Sequence, residues 1–251
     1  MRASLIVTAA FLAFAARTSA ETSSHQHWAY EGHDGPSHWA KLDPAYHVCG
    51  TGHRQSPIDI DRKAATPKDL PALVFQYRSA PLEIVDNGHT IQVNYAPGSA
   101  LLIGGKRYEL IQFHFHHPAE EAIGGKHFDM VAHLVHRDQA GELAVVAVPL
   151  KEGHENALIA ALWSKLPKKG DHEPEHSKID INAGDLVPSD HSYYAYSGSL
   201  TTPPCSEGVR WSVLEKPMEI SKAQIAAFAE RYPNNARPVQ KLNEREVFVS
   251  K

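Results

Sequence analysis

The chain has 251 residues, of which 42% are hydrophobic and 22% are charged, proportions typical of a globular protein rather than a disordered one. Lys and Arg number 25 against 29 Asp and Glu, so the net charge is −4 and no nucleic-acid-binding surface is indicated. Histidine is unusually frequent, with 17 residues, which directs attention to metal binding and proton transfer.

The first 20 residues have the pattern of a cleaved signal peptide. Arg2 gives a positive start, and an apolar stretch too short to span a bilayer ends in small residues suited to cleavage before Glu21. We therefore expect residues 21–251 to form a single domain that is periplasmic or secreted. No apolar run is long enough for a membrane span.

Short segments with β character recur through the middle of the chain, separated by turn-forming pairs such as Gly104-Gly105. The predicted strands are 73–77, 82–85, 91–95, 100–103, 108–115, 128–136 and 143–150. Helical periodicity is limited to 155–166 and 221–231, and the second segment opens with Ser221 and Gln224 in capping-box register. The pattern predicts one sheet-centred domain with peripheral helices, and irregular surface chain over 28–53.

Residues 113–116 alternate phenylalanine and histidine. In a strand, His114 and His116 point to one face, about 7 Å apart along the chain, and the phenylalanines point to the other face. Two imidazoles with this spacing can bind one zinc ion. Histidines that form ordinary surface hydrogen bonds are the alternative interpretation.

A third ligand has to come from a neighbouring strand. Segment 130–136 can return antiparallel to the first strand, with His133 on one face and His136 on the other. Three histidines without a fourth protein ligand leave one position open for water, which is typical of catalytic rather than structural zinc. The spacing does not favour a thiolate zinc site, because the two cysteines lie far apart in the sequence.

The two cysteines, Cys49 and Cys205, lie far apart in the sequence. In an oxidising compartment they are the one pair available for a disulfide, and the alternative is two buried free thiols. A bridge that closes so long a loop would stabilise the fold by about 5 kcal/mol at most.

Several motifs, in order from about residue 27 to 248, resemble the α-class carbonic anhydrases. Segments 112–116 and 132–136 resemble the family's zinc-binding strands, and 199–205 resembles its active-site loop, with Trp211 at the expected distance. Further similar segments are 27–30, 55–58, 87–89 and 235–238.

The resemblance implies a mainly β fold with peripheral short helices (α+β) and a large twisted, mostly antiparallel central sheet. It also implies reversible hydration of carbon dioxide to bicarbonate and a proton by a zinc-bound hydroxide, with Zn²⁺ on His114, His116 and His133. Zinc brings the pKa of its bound water close to neutrality, a known property of this family. The expected partner is the small substrate, and monomer and homodimer both stay open.

Further residues acquire expected roles from the resemblance. Thr201 orients the hydroxide, Glu120 accepts a hydrogen bond from Thr201, and His89 carries protons to solvent. The expected substrate pocket consists of Val135, Val145, Leu200, Thr202, Val209 and Trp211. Tyr30, Gln92 and Gln112, together with Thr202, are expected to order a chain of water molecules.

One position departs from the family pattern. Val131 lies two residues before His133, where the family usually has a glutamate that would orient a ligand imidazole. We expect either a backbone carbonyl or a water to take its place, or zinc binding to be weaker. The alternative functions are a weakly active or inactive zinc-binding relative, and a zinc esterase as a side activity of the same site.

Overall fold

The computed structural model describes residues 27–171 and 174–251. The predicted signal peptide, residues 1–20, lies outside the described residues. Within the described part of the chain, none of the helices has the length and apolar character needed to cross a membrane.

The structure is built mostly of strands. They are β1 (Asp59–Ile60), β2 (Thr66–Lys68), β3 (Leu73–Gln76), β4 (Ala80–Asp86), β5 (Ile91–Asn94), β6 (Ala100–Ile103), β7 (Lys106–His116), β8 (Ala122–Ile123), β9 (Met130–Arg137), β10 (Leu143–Glu152), β11 (Glu175–Ile181), β12 (Tyr193–Ser199), β13 (Glu207–Leu214), β14 (Met218–Ile220) and β15 (Phe248–Ser250). The helices are α1 (Trp39–Leu42), α2 (Val48–Thr51), α3 (Ala157–Trp163) and α4 (Lys222–Arg231). Short 3₁₀ turns lie at Gly32–Asp34, Pro44–Tyr46 and Ala183–Leu186.

One large twisted sheet organises the molecule, in the order β11-β4-β5-β7-β9-β10-β13-β12-β15-β2. Its neighbours are antiparallel except at β10–β13 and β15–β2, and β14 adds a further parallel pairing to β10. Strands β3 and β6 extend the sheet through β7, and β1 and β8 form a separate parallel pair. The predicted mainly β fold with a mostly antiparallel central sheet is confirmed.

The two faces of the central strands bury different side chains. Phe113 and Phe115 lie in the main apolar core, and helices α3 and α4 cover this face with residues that include Trp163 and Phe228. Because side chains alternate along a strand, the histidines of β7 point to the opposite face. A second, smaller apolar cluster that contains Trp211 occupies that face.

Two features differ from the sequence-based expectation. The segment 28–53 is not irregular throughout, because it contains α1 and α2 and buries Trp39 completely beside the cysteines. The strands from β11 onward were not predicted. Segment 193–199 alternates poorly and ends in small residues, so its strand character depends on pairing with β13 and β15.

Candidate metal centre

Three histidine side chains converge on the face of the sheet opposite the main core. His114 of β7 lies directly opposite His133 of β9 in the antiparallel register, and His116 follows two residues later on the same face. Their potential ligand atoms all lie within 4.8 Å of one another. In the described part of the chain this cluster contains no fourth protein ligand.

Hydrogen bonds leave one ring nitrogen of each β7 histidine free. His114 Nδ1 donates to Gln112 Oε1 at 2.8 Å, and His116 Nδ1 donates to the backbone carbonyl of Asn235 at 2.7 Å. Burial lowers the pKa of His114 to about 3 and that of His116 well below its usual value. Both rings are therefore neutral and keep an Nε2 lone pair for a metal.

His133 uses its two ring nitrogens in the opposite way from His114 and His116. Its Nε2 donates to Glu121 Oε1 at 3.0 Å, which leaves the Nδ1 lone pair directed toward the other two histidines. Burial lowers the pKa of His133, but the charge and hydrogen bond of Glu121, together with the charge of Glu120, raise it above its usual value overall.

The residues present fit a zinc ion. His116 Nε2 is buried and has no hydrogen-bond partner among the described residues, a condition that costs about 1–3 kcal/mol unless a ligand satisfies the atom. Three imidazole nitrogens form a donor set that zinc prefers, and three protein ligands are the number found in catalytic sites.

Glu120 lies directly behind the histidines and is fully buried. Its Oε1 accepts a hydrogen bond from the Arg237 backbone N–H at 2.8 Å, and its Oε2 lies 3.5 Å from His116 Nε2. Burial raises the pKa of Glu120 to about 7, although the charge of His133, the Arg237 N–H and hydrogen bonding by Thr201 all favour the ionised form. Thr201 and Glu120 are therefore brought together, as expected from the resemblance.

An apolar wall adjoins the histidines. Val145 on β10 is the register neighbour of Val135 on β9 and of Trp211 on β13, so the three side chains form a row across the sheet. The Trp211 ring lies 5.0 Å from the His133 ring. Val209, Val131 and the partly buried Leu200 belong to the same cluster. The apolar residues expected in the substrate pocket therefore belong to one cluster.

The loop that carries Thr201 and Thr202 is tied to the protein at several points. The structure contains the predicted disulfide between Cys49 and Cys205 at the end of this loop. Gln55 Nε2 donates to the Cys205 carbonyl at 3.1 Å, and the Cys205 N–H donates to the Thr202 carbonyl at 2.8 Å. These contacts restrain the loop at the edge of the site.

His89 lies in a turn beside the site. Its ring stacks on Trp28 with centroids 3.7 Å apart, and both residues line a surface cleft of about 240 Å³ together with Tyr30. The Asn235 side-chain amide donates to the His89 carbonyl at 3.0 Å, so the residue that accepts from His116 also restrains this turn.

Gln92 and Gln112 have protein partners. Gln92 is the register neighbour of His114 on β5, and its amide donates to Asn94 Oδ1 at 2.7 Å. Gln112, which was expected to order water, accepts from His114 through its Oε1. That contact could have been inferred from the sequence, because residues 112 and 114 share a strand face.

Two other histidine partners were not identified from the sequence. The Asn235 carbonyl holds His116 across 119 positions of chain, which no local pattern reveals. The second partner is Glu121, whose Oε1 accepts from His133 Nε2 at 3.0 Å; the expectations raised by Val131 did not include a carboxylate from another segment.

These features define a sheet-borne three-histidine metal site of the catalytic zinc type. Residues 34–251 match the family model described as eukaryotic-type carbonic anhydrase. The chain is 43% identical to a carbonic anhydrase of Nostoc sp. over 92% of its length and 89% of that protein. It therefore belongs to the eukaryotic-type, or α, carbonic anhydrase family and is an enzyme of that family.

Solved structures agree with this assignment. A hyperthermostable carbonic anhydrase from a hydrothermal vent chimney has 46% identity and a TM-score of 0.86, with coverage of 90% of this chain and 100% of the other. The α-carbonic anhydrase of Thermovibrio ammonificans, solved with the inhibitor sulfanilamide, has 42% identity and a TM-score of 0.86, with coverage of 90% and 99%.

Proposed function

We propose that this protein catalyses the reversible hydration of carbon dioxide to bicarbonate and a proton, with Zn²⁺ held by His114, His116 and His133. The observation that carries the proposal is the convergence of three imidazole lone pairs beside an apolar wall. When bound, the metal acts as a Lewis acid that makes a water nucleophilic near neutral pH, which is established for this family.

Thr201 and Glu120 orient the nucleophile in this proposal. Glu120 in its ionised form only accepts hydrogen bonds, so the Thr201 hydroxyl donates to it and keeps its own oxygen free to accept. The Arg237 backbone N–H holds the other carboxylate oxygen and fixes the direction of this chain. The nucleophile is thereby oriented, because the donor and the acceptor of each hydrogen bond in this chain are fixed.

Carbon dioxide carries no charge, so an apolar pocket suits it better than a polar one. Val135, Val145 and Trp211 form an apolar surface next to His133, and Leu200 and Val209 extend it. Thr202, on the restrained loop, provides a polar group at the pocket edge for bicarbonate. Tyr30, Gln92 and Gln112 supply the polar groups that bind ordered water and connect the site to solvent in this proposal.

His89 is the proposed proton carrier. An acid with a pKa of about 7 can lose its proton to bare water only ~10³ times per second, because reprotonation is limited by diffusion at ~10¹⁰ M⁻¹s⁻¹. An imidazole at a surface cleft, which accepts the proton and passes it to buffer, removes this limit. The stacking of His89 on Trp28 gives its ring a defined position facing solvent.

We also propose that the protein is exported after cleavage near residue 20 and works in an oxidising compartment as one domain over 21–251. The Cys49–Cys205 disulfide supports export, because such bonds persist outside the reducing cytosol. Assembly as a monomer or a homodimer is left open.

Stopped-flow measurement of carbon dioxide hydration, on purified protein with its zinc content determined, tests the proposal. One zinc per chain and a rate well above buffer are expected. Stoichiometric zinc without hydration would favour the inactive zinc-binding alternative, and ester hydrolysis alone would favour a zinc esterase.

A further inference from the structure

His133 receives no carboxylate from its own strand. Residues 131, 133 and 135 share one face of β9, and Val131 and Val135 both belong to the apolar cluster. We propose that Glu121, on the loop after β7, is the positioning residue for His133. The proposal rests on the zinc-binding function assigned to that histidine above.

The contact that supports this role is direct and buried. Glu121 Oε1 lies 3.0 Å from His133 Nε2, and both side chains are almost inaccessible, at 3% and 1% exposure. A buried carboxylate is costly unless a partner compensates its charge. Among the described residues, Glu121 Oε2 has no hydrogen-bond partner, and the ion-pair contact of this side chain is with His133.

The loop that supplies Glu121 is anchored on both sides. The Ala119 N–H donates to the Phe128 carbonyl at 3.2 Å, and the Ala122 N–H donates to the Ile58 carbonyl at 3.3 Å. Strand β8 begins at the next residue and pairs with β1. The carboxylate is therefore presented by ordered backbone, as a positioning group requires.

The adjacent acids Glu120 and Glu121 have different partners. Glu120 faces the Arg237 N–H and Thr201, whereas Glu121 faces the outer nitrogen of His133. The second contact fixes the tautomer that keeps the His133 Nδ1 lone pair free and makes the ring a stronger donor. Glu121 acts through His133 and not on the substrate.

The experiment compares zinc retention in Glu121→Ala and Glu121→Gln, with exposed Glu152→Gln as the matched control. Zinc transfer from the loaded proteins to an excess of a fluorescent chelator gives the dissociation rate. Glu121→Ala is expected to lose zinc about 10–100-fold faster than the unaltered protein. Glu121→Gln keeps an acceptor oxygen without the charge, so its rate is expected to lie between the two.

A spectroscopic signal separates positioning from general stability. In ¹⁵N-histidine-labelled zinc protein, the His133 Nε2 proton is expected strongly downfield because it donates to a carboxylate, and it should move upfield in Glu121→Gln. If Glu121→Ala fails to fold, the glutamine variant decides. Dissociation rates and ring-proton shifts equal to those of the control would overturn the inference.

The proposed function is tested separately in the unaltered protein by zinc stoichiometry and hydration rate. Absence of bound zinc there would overturn both proposals. Normal zinc and hydration in the unaltered protein, with no effect of either Glu121 substitution, would overturn this inference alone.

Discussion

His114 and His133 lie directly opposite each other on adjacent antiparallel strands, with ring centroids 5.4 Å apart and ring planes at 89°. This pairing depends on an irregularity upstream, because Leu110 pairs with His136 whereas Gln112 pairs with Val135. One extra residue on β7, a bulge, therefore sets the register that places the two imidazoles together.

Substitution of the three histidines tests the metal site. Replacing His114, His116 or His133 by alanine is expected to remove most of the bound zinc and the hydration activity, because each supplies one of three ligands. His136→Gln is the control, since this residue points to the other face and hydrogen-bonds to Tyr77. Metal analysis of each purified variant provides the measurement. Full zinc in His133→Ala would exclude that residue as a ligand.

Thr201→Val is expected to reduce kcat/KM for hydration by about 100-fold with zinc content unchanged, because valine keeps the size of the side chain but breaks the hydrogen bonding to Glu120. Thr201→Ser retains the hydroxyl and should keep most of the rate. Stopped-flow kinetics on both zinc-loaded proteins checks this, and rates in both variants equal to that of the unaltered protein would remove Thr201 from the mechanism.

His89→Ala is expected to lower the maximal rate by about tenfold or more in dilute non-shuttling buffer, while the second-order constant for carbon dioxide stays nearly unchanged. Proton export follows the chemical step and so limits only the maximal rate. Added imidazole should restore the rate, because a diffusible base replaces the tethered one. Equal loss of both constants without rescue would assign His89 a structural role.

The disulfide should make a large contribution to stability. Mass spectrometry of the exported protein is expected to show Cys49 linked to Cys205, and the double serine variant should lose about 2–5 kcal/mol of unfolding free energy in urea. The bridge closes a loop of 156 positions, so the unfolded chain without it gains considerable entropy. Two alkylatable thiols in the native exported protein would contradict the prediction.

His136 should make stability depend on pH. Burial lowers the pKa of His136 to about 4 from 6.5, so the unfolded chain binds a proton that the folded protein excludes between these values. The contribution of the neutral ring to the free energy of unfolding is fully present above pH 6.5. It declines as the pH falls toward 4, by up to about 3 kcal/mol.

Urea unfolding of zinc-free protein from pH 4 to 7 measures this effect, with His136→Gln for comparison. The free energy of unfolding should differ between the two proteins by an amount that changes between pH 4 and pH 6.5. A constant difference would show that His136 does not titrate differently in the folded and unfolded states.

The sequence by itself determined the three-histidine cluster and the main features of the fold. The alternation in 113–116 assigns the histidines and phenylalanines to opposite faces, because strand geometry has a period of two that is visible locally. The capping box of Ser221 and Gln224 is likewise a local pattern, and the structure contains it at the start of α4.

Only the tertiary structure decided which groups hold those ligands. Asn235 reaches His116 from a distant segment, Glu121 reaches His133 from a loop, and the bulge before Gln112 fixes the strand register. The sequence showed that Val131 could not supply a carboxylate, but not which residue would. Contacts between distant segments form only when the chain folds, so they cannot be inferred from the spacing of residues in the sequence.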